Sequence, residues 1–356
     1  MTEPWPRPRT EEENPSMPAQ RPRGVSIQDV ARAAGVSRQT VSNALNAPHK
    51  LRPDTLERVT ALIEEMGYRP DQSARSLRSG TRRIIAYTTP ETDPDNPNAL
   101  MSGFLEAMVA AAGEAGYRIL LVRPRPGQSK ARALEDVIAA RTADAILLSD
   151  VLEDDPCVDY LHETGFPFAV FGRTGPGRPQ AWVDVDSAQA MIDMVGLLSS
   201  HGHRRVAYLG TSAALPWLRH REAGFRIGAR RFGLAGHEAF VDGLDEVVAV
   251  ARDLLNRSPR PTALVLDDDW LAPGAYAAAQ AEGLTVGADL AVTGFNDMPY
   301  TRLLQPALTT VRLPLRRIAD ALVSRLLQSV EEGAPPEAGL LLAGDPVLRP
   351  SMTTLA

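Results

Sequence analysis

From Ile84 onward, short apolar segments alternate with longer stretches in which apolar residues recur at helical spacing. We predict strands for the short segments: 84–88, 118–122, 145–148, 168–171, 206–209, 263–266 and 291–294. The helical stretches include 103–114, 187–200, 222–232, 244–255 and 274–282. Such alternation indicates α/β architecture, in which helices connect the strands of parallel sheets. The pattern pauses in a stretch rich in Gly and Pro at 172–182, which predicts two similar sheets.

The segment before this core has the pattern of a small all-α unit. Apolar residues with the spacing of one helical face precede a glycine: Ile27, Val30, Ala31, Ala34 and Gly35. Gly35 suits the end of a first helix, and Ser37 suits the cap of a second helix over 38–45. Pro53 suits the first turn of a third helix. Two short helices joined by a tight turn predict a helix-turn-helix head.

Charge is unevenly distributed along the chain. Its 356 residues, enough for two or three domains, have a formal net charge of -6. Between Arg21 and Arg83, however, 12 Lys and Arg residues outnumber 6 Asp and Glu residues. A basic segment on an acidic body indicates a local contact with a polyanion.

No segment of the sequence has the pattern of a secretory signal or a membrane span. Residues 1–24 are rich in Pro, Arg and Glu and have no apolar stretch, so we expect a disordered extension there. No apolar run reaches the ~18 residues of a membrane-spanning helix. Cys157 is the single cysteine, which excludes an internal disulfide. We therefore expect a cytoplasmic protein without a membrane partner.

Polar residues share the outer face of the predicted second helix: Arg38, Gln39, Ser42 and Asn43. In a helix-turn-helix, the N-terminal part of the second helix enters the major groove of DNA. Arg can bind guanine through two hydrogen bonds there, and Gln or Asn can do the same with adenine. An ordinary solvated helix face is the alternative, but the adjoining helix, the turn and the basic flank favour DNA contact.

Several motifs, which follow one another along the chain, resemble those of the lactose-repressor (LacI/GalR) family. They are found at 29–46, 67–70, 74–80, 202–210, 293–297, 308–311 and 349–351. The resemblance implies a core like the periplasmic binding proteins, built from two doubly wound parallel-sheet subdomains with a ligand between them. It also implies a regulator, more commonly a repressor, that binds a pseudo-palindromic operator as a homodimer.

The resemblance also implies domain boundaries. The head would occupy 25–70 and a hinge helix or linker 71–82, followed by an effector-binding and dimerisation core over 83–356. The two subdomains would comprise 83–180 plus 295–325, and 181–294 plus 326–351.

Individual DNA contacts follow from the same resemblance. Arg38 and Gln39 would touch bases, and Asn43 stands where the family often has Arg. Four residues would mainly hold phosphates: Ser37, Thr40, Ser42 and Asn46. The family's hinge folds on operator DNA, and a leucine wedges into the minor groove. Leu77 matches that leucine, and with Ala74 it supplies the apolar residues of the hinge. Packing of Leu77 against the core is the alternative.

Polar residues follow two predicted strands of the second half: Asp268, Asp269, Asn296 and Asp297. Ligands of parallel sheets bind beyond the carboxyl ends of the strands. The resemblance implies that Arg221 and Asn296 contact a small polar effector, such as a sugar or a nucleoside-like molecule. Solvated loop charges or helix caps are the alternative for each residue taken singly. Three tryptophans near loops also suit stacking on a sugar ring: Trp182, Trp217 and Trp270.

Other classes of protein fit the sequence less well. It has no Gly-rich phosphate loop, Ser-His-Asp order or zinc-ligand spacing, so we expect no catalytic residues, metal or cofactor. A transport-type sugar-binding protein would need a signal peptide in place of the DNA-binding head. A regulator of the same fold that no longer senses a small molecule remains an alternative.

Overall fold

The computed structural model describes residues 25–68, 81–89, 99–175, 180–212, 215–332, 339–352 and 354–355. These residues form two compact units, which divide between Thr81 and Arg82. The predicted extension over 1–24 lies outside the described residues. So do Ala74 and Leu77 of the predicted hinge.

The first unit contains the predicted helix-turn-helix. Its helices are α1 (Ile27–Ala34), α2 (Arg38–Asn46), a 3-10 turn (Pro48–Lys50) and α3 (Pro53–Glu65). Ser26 and Asp29 form a reciprocal capping box at the start of α1, and Gly35 ends it at φ 63°. A small apolar core joins the helices: Val30, Ala31, Ala34, Val41 and Val59. Local capping and helical periodicity therefore explain why the prediction is confirmed.

Helix α3 begins without a side-chain cap, because Arg52 occupies the N-cap position. We expect Arg52→Ser to stabilise the head by about 0.5–1 kcal/mol, since a serine hydroxyl can accept a free backbone N–H of the first turn. Amide exchange of α3 in the full chain measures this. The control is Arg58→Ser on the exposed side of the same helix, which we expect to be neutral or slightly destabilising. Equal protection in the two variants would contradict the prediction.

The second unit contains two parallel sheets. The first has the strands β1 (Ile84–Thr88), β2 (Arg118–Val122), β3 (Ala145–Ser149), β4 (Phe168–Phe171), β5 (Ala181–Val185) and β11 (Leu340–Leu342), in the order β11-β5-β4-β3-β1-β2. The second has β6 (Arg205–Thr211), β7 (Ala235–Val241), β8 (Ala263–Leu266) and β9 (Ala291–Thr293), in the order β7-β6-β8-β9. A short antiparallel pair consists of β10 (Thr310–Arg312) and β12 (Asp345–Val347). The predicted α/β architecture with two parallel sheets is confirmed.

Helices cover both faces of each sheet. The first sheet packs against α4 (Ala99–Glu114), α5 (Lys130–Ala139), α6 (Pro156–Thr164) and α11 (Leu315–Glu332). The second packs against α7 (Ser187–Ser200), α8 (Pro216–Arg231), α9 (Leu244–Leu255) and α10 (Ala272–Ala281). Successive strand residues point to opposite faces, so Tyr87 packs with α4 while Ala86 belongs to the cluster that includes α5 and α6. Central strands such as β3 and β8 are therefore buried on both sides, as a doubly wound sheet requires, whereas the edge strands β2 and β7 are partly exposed.

The predicted division between the subdomains needs correction. Strand β5, assigned to the second subdomain from the sequence, pairs with β4, with Ala169 opposite Ala181. Strand β11 pairs with β5, and α11 packs on β3, β4 and β5 of the first sheet. The Gly- and Pro-rich pause thus falls between two neighbouring strands of one sheet and does not mark the boundary between two sheets. The second subdomain begins only after β5.

Candidate functional site

A polar cleft lies where the carboxyl ends of the two sheets face each other. Its walls come from the second subdomain and from the first: Trp217, Arg221, Asp268 and Asn296, opposite Asp150, Phe171 and Asp184. The cleft encloses about 540 Å³ of empty space, including its open mouth. Its position beyond the carboxyl ends of the strands is that of a small-molecule site in parallel-sheet proteins.

Arg221 projects from α8 and is 3% exposed. Its Nη1 donates to the Asp267 carbonyl oxygen at 2.6 Å, and its Nη2 donates to Asn296 Oδ1 at 3.0 Å. The guanidinium lies over the rings of Trp217 and Phe295, at 4.4 Å and 3.7 Å from the ring centroids. Its Nε is buried without a hydrogen-bond partner among the described residues. The guanidinium of Arg221 is therefore held rigidly, and its Nε–H remains unused as a hydrogen-bond donor.

Asn296 and Asp268 complete this network. Asn296 Nδ2 donates to Asp268 Oδ2 at 2.7 Å, and the same carboxylate oxygen lies 3.6 Å from Arg221 Nη1. Asn296 has a φ of 108°, a backbone conformation that residues other than glycine rarely adopt. Backbone strain at this position is consistent with a constrained ligand site.

Buried carboxylates dominate the electrostatics of the cleft. Burial raises the pKa of Asp268 to about 6, against the opposing effect of Arg221. Burial and the neighbouring Asp268 raise the pKa of Asp267 to about 7. Across the cleft, burial also raises the pKa of Asp150. Ligand groups that donate hydrogen bonds or carry positive charge would relieve this desolvation.

Two predicted effector contacts are corrected, because Asp269 and Asp297 do not line the cleft. Asp269 is fully buried and accepts hydrogen bonds from Met298 N at 2.8 Å and Thr310 Oγ1 at 2.7 Å. Asp297 is paired with three arginines: Arg349 at 2.5 Å, Arg312 at 2.7 Å and Arg302 at 3.7 Å. Both carboxylates anchor the loop around Asn296.

Sequence reasoning missed the wall formed by the first subdomain. Asp150, Phe171 and Asp184 lie at or just beyond the carboxyl ends of β3, β4 and β5. That strand-end position is the signal that could have found them. Of the three tryptophans considered, Trp217 lines the cleft.

In the head, α2 exposes Arg38 and Gln39 at its N-terminus. Gln39 Nε2 donates to Asn43 Oδ1 at 3.0 Å, so these two amides form one polar surface. Ser37 Oγ accepts the Thr40 backbone N–H at 3.1 Å and therefore caps the helix. Asn46 donates to the Ser42 carbonyl at 2.9 Å.

The predicted phosphate contact of Ser42 needs correction. Ser42 is only 6% exposed, because it lies on the buried side of α2 next to Val41. A side chain buried in the head is not accessible to a phosphate. The predicted outer face of α2 is therefore narrower than its sequence indicated.

Two further features are absent from the described part of the chain. No described helix is long and apolar enough to cross a membrane. No group of three or more His, Cys, Asp or Glu residues in these ranges is arranged to hold a metal ion.

A helix-turn-helix head on the same chain as a two-sheet core with a polar cleft defines a DNA-binding transcriptional regulator with an effector-binding core. Family models support both parts: "Bacterial regulatory proteins, lacI family" matches residues 26–71, and "Periplasmic binding protein-like domain" matches residues 195–352. The chain belongs to the LacI family of bacterial regulators.

Three solved structures illustrate the similarity. A LacI-family regulatory protein from Chloroflexus aggregans is 32% identical, with a TM-score of 0.70 over 76% of this chain and 98% of that chain. The Lac repressor dimer bound to operator and the anti-inducer ONPF is 26% identical, with a TM-score of 0.77 over 94% and 100%. The CelR–cellobiose complex is 25% identical, with a TM-score of 0.68 over 92% and 99%.

Proposed function

We propose that this regulator binds a pseudo-palindromic operator as a homodimer and represses transcription, and that an uncharged, polyhydroxylated small molecule in the cleft changes its operator affinity. The buried network of Arg221, Asn296 and Asp268 carries the proposal. The similar Lac repressor dimer binds operator, and the similar CelR binds cellobiose. Those two complexes support a dimer on DNA and a sugar in the cleft.

The charge of the cleft narrows the class of effector. Asp150, Asp184 and Asp268 line it, whereas Arg221 is the cation among the described lining residues. Arg173 stands nearby, but its Nε is paired with Asp184 Oδ2 at 2.8 Å. A phosphate or carboxylate on the effector would face this excess of negative charge, whereas hydroxyl groups can donate to it.

The apolar part of the lining complements this polar pattern. Phe171, Trp217 and Leu313 offer flat or branched surfaces close to the acids. The C–H face of a sugar ring packs on such surfaces while its hydroxyls bond the polar groups at its edge. A sugar or a nucleoside satisfies both requirements.

The experiment is operator selection from random DNA, repeated with uncharged sugars and nucleosides and with their phosphorylated counterparts. We expect a pseudo-palindromic sequence whose affinity for the protein changes with an uncharged compound and is unaffected by its phosphate ester. A response confined to phosphorylated compounds would contradict the proposed effector class. Failure to recover any DNA sequence would contradict the proposed operator binding.

On the DNA side, we propose that Arg38 and Gln39 contact bases and that Ala74 and Leu77 of the hinge contact the minor groove. The proposed domain boundaries remain 25–70 for the head and 71–82 for the hinge. A wedge at Leu77 would favour a flexible pyrimidine–purine step at the centre of the operator.

Asn43 is the residue of α2 whose effect on base preference we predict. Its amide belongs to the surface shared with Gln39, so Asn43→Ala is expected to relax preference at one symmetric pair of base positions by about 1–3 kcal/mol. Repeating the random-DNA selection with the variant measures this. The control is Asn46→Ala. The amide of Asn46 is bonded to the Ser42 carbonyl, so we expect this variant to leave base preference unchanged. An unaltered preference in Asn43→Ala would remove Asn43 from the reading surface.

A further inference from the structure

The first two turns of α8 contact the first subdomain across the cleft. Three side-chain pairs make these contacts: Trp217 with Asp150, Arg219 with Glu153, and His220 with Arg173. The three partners lie in the loops after β3 and β4 of the first sheet, whereas α8 packs on the second. The pairs therefore join the two subdomains. Any movement of one subdomain relative to the other must either keep these contacts or break them.

Of these three contacts, the pair of His220 and Arg173 is the one that contains an imidazole, whose hydrogen bonding changes with its protonation. His220 Nδ1 lies 2.8 Å from Arg173 Nη2, and Arg173 Nε donates to Asp184 Oδ2 at 2.8 Å. The pair of Arg219 and Glu153 spans 3.3 Å with both side chains about half exposed, so it contributes little. Arg173 thus connects a fixed carboxylate in its own subdomain to the imidazole of the other.

The chemistry of this contact depends on the proton state of the imidazole. A guanidinium only donates hydrogen bonds, so Nδ1 of His220 must be the acceptor and its ring must be neutral, with the proton on Nε2. A protonated ring would place an N–H donor and a second positive charge against Arg173. The contact therefore exists only while His220 is neutral.

The surroundings of His220 favour the neutral form. Burial and the charge of Arg173 lower the pKa of His220, outweighing the opposite effect of three carboxylates: Asp184, Asp186 and Glu153. A subdomain arrangement without the contact would lose the Arg173 contribution and bind the proton more readily. Protonation must therefore favour separation of the pair, and falling pH is the direction that breaks it.

We propose that His220 is a pH-sensitive latch between the two subdomains. The neutral ring accepts the hydrogen bond of Arg173 and holds the subdomains in the arrangement described here. A proton taken from solvent by Nδ1 removes the acceptor and releases Arg173. Any effect of release on operator affinity rests on the proposed function, but the opening itself does not.

The test measures the distance between the subdomains in the full chain without effector or DNA. Donor and acceptor dyes are placed on Glu163→Cys in α6 and Arg230→Cys in α8, two exposed positions away from the latch. Cys157 is buried, and burial raises the pKa of its thiol to about 12, so it stays unlabelled. Dilution with unlabelled protein keeps any transfer within one chain.

We expect the ratio of latched to released molecules to fall by about fivefold or more as the pH drops from about 8 to about 5.5. His220→Gln keeps an acceptor but cannot be protonated, so it should stay latched throughout. His220→Ala lacks the acceptor and should be released throughout. The control is His201→Gln, which should respond as the natural chain does, because His201 donates to the Leu197 carbonyl and takes part in none of the three contacts across the cleft.

Two outcomes would overturn the latch. One is a natural chain whose distance distribution does not change with pH. The other is a His220→Gln variant that keeps the full pH response. Neither outcome involves a sugar or an operator. Failure of the latch can therefore be distinguished from failure of the proposed effector response.

Discussion

Replacement of Arg221 by lysine is expected to weaken the effector response strongly while leaving operator binding without effector unchanged. The guanidinium donates through separate nitrogens to Asp267 O and Asn296 Oδ1, and it lies over two aromatic rings. A lysine ammonium keeps the charge but has neither the fork nor the flat shape. Each hydrogen bond to a charged group contributes about 1.5–3 kcal/mol, so we expect effector affinity to fall by roughly tenfold to a hundredfold.

The measurement is operator affinity with and without an uncharged compound that shifts the natural protein, together with direct binding of that compound. Lysine is preferred to alanine because removing the charge would leave Asp268 buried and unpaired, at a cost of about 3–5 kcal/mol in folding. The matched control is Arg226→Lys, about one turn further along α8, where the guanidinium pairs with Glu238 at a half-exposed site. Unchanged effector affinity in Arg221→Lys would remove this residue from the site.

Replacement of Gly224 by valine is expected to destabilise the core by about 3 kcal/mol, because α7 and α8 cross at this glycine. A Cβ atom there would lie 2.4 Å from the carbonyl oxygen of Ala188 and 2.8 Å from the Cβ of Met191. Backbone cannot move aside as a flexible side chain can, so the two helices would have to separate. The loss is a large fraction of the 5–15 kcal/mol that stabilises a typical domain.

Urea unfolding of the full chain, followed by circular dichroism, measures the loss of stability. Ala223→Val provides the control, since Ala223 is adjacent, helical and exposed. It introduces the same side chain at a cost of only about 0.5 kcal/mol in helix propensity. If the two variants unfolded at the same urea concentration, close packing at Gly224 would not be the reason for a glycine there.

Local patterns in the sequence determined most of the elements of this protein. The predicted strand at 84–88 and the predicted helices at 187–200 and 244–255 have the bounds found in the structure. Periodicity and capping act within a few residues, so they can be read without knowing the fold. The helix-turn-helix and the alternation of strands with helices were predictable for this reason.

Where the sequence pattern of a strand is weak, only the tertiary structure decided which sheet the strand belongs to. Strand β7 (Ala235–Val241) contains Gly, His and Glu and was not predicted, yet it pairs with the whole length of β6. Strand β11 joins β5 although more than 150 residues separate them in the chain. Such pairings depend on long-range contacts, which leave no periodic signal in the sequence.

The same division holds at the cleft. Asp268 and Asp269 are neighbours, but one binds Asn296 at the cleft and the other accepts hydrogen bonds from Met298 and Thr310. The sequence placed both at the end of a strand, where a ligand site was expected. Only the path of the backbone after β8 decided which carboxylate faces the cleft. The contact of His220 with Arg173 likewise arises because two sheets, separate in the chain, bring their strand ends together.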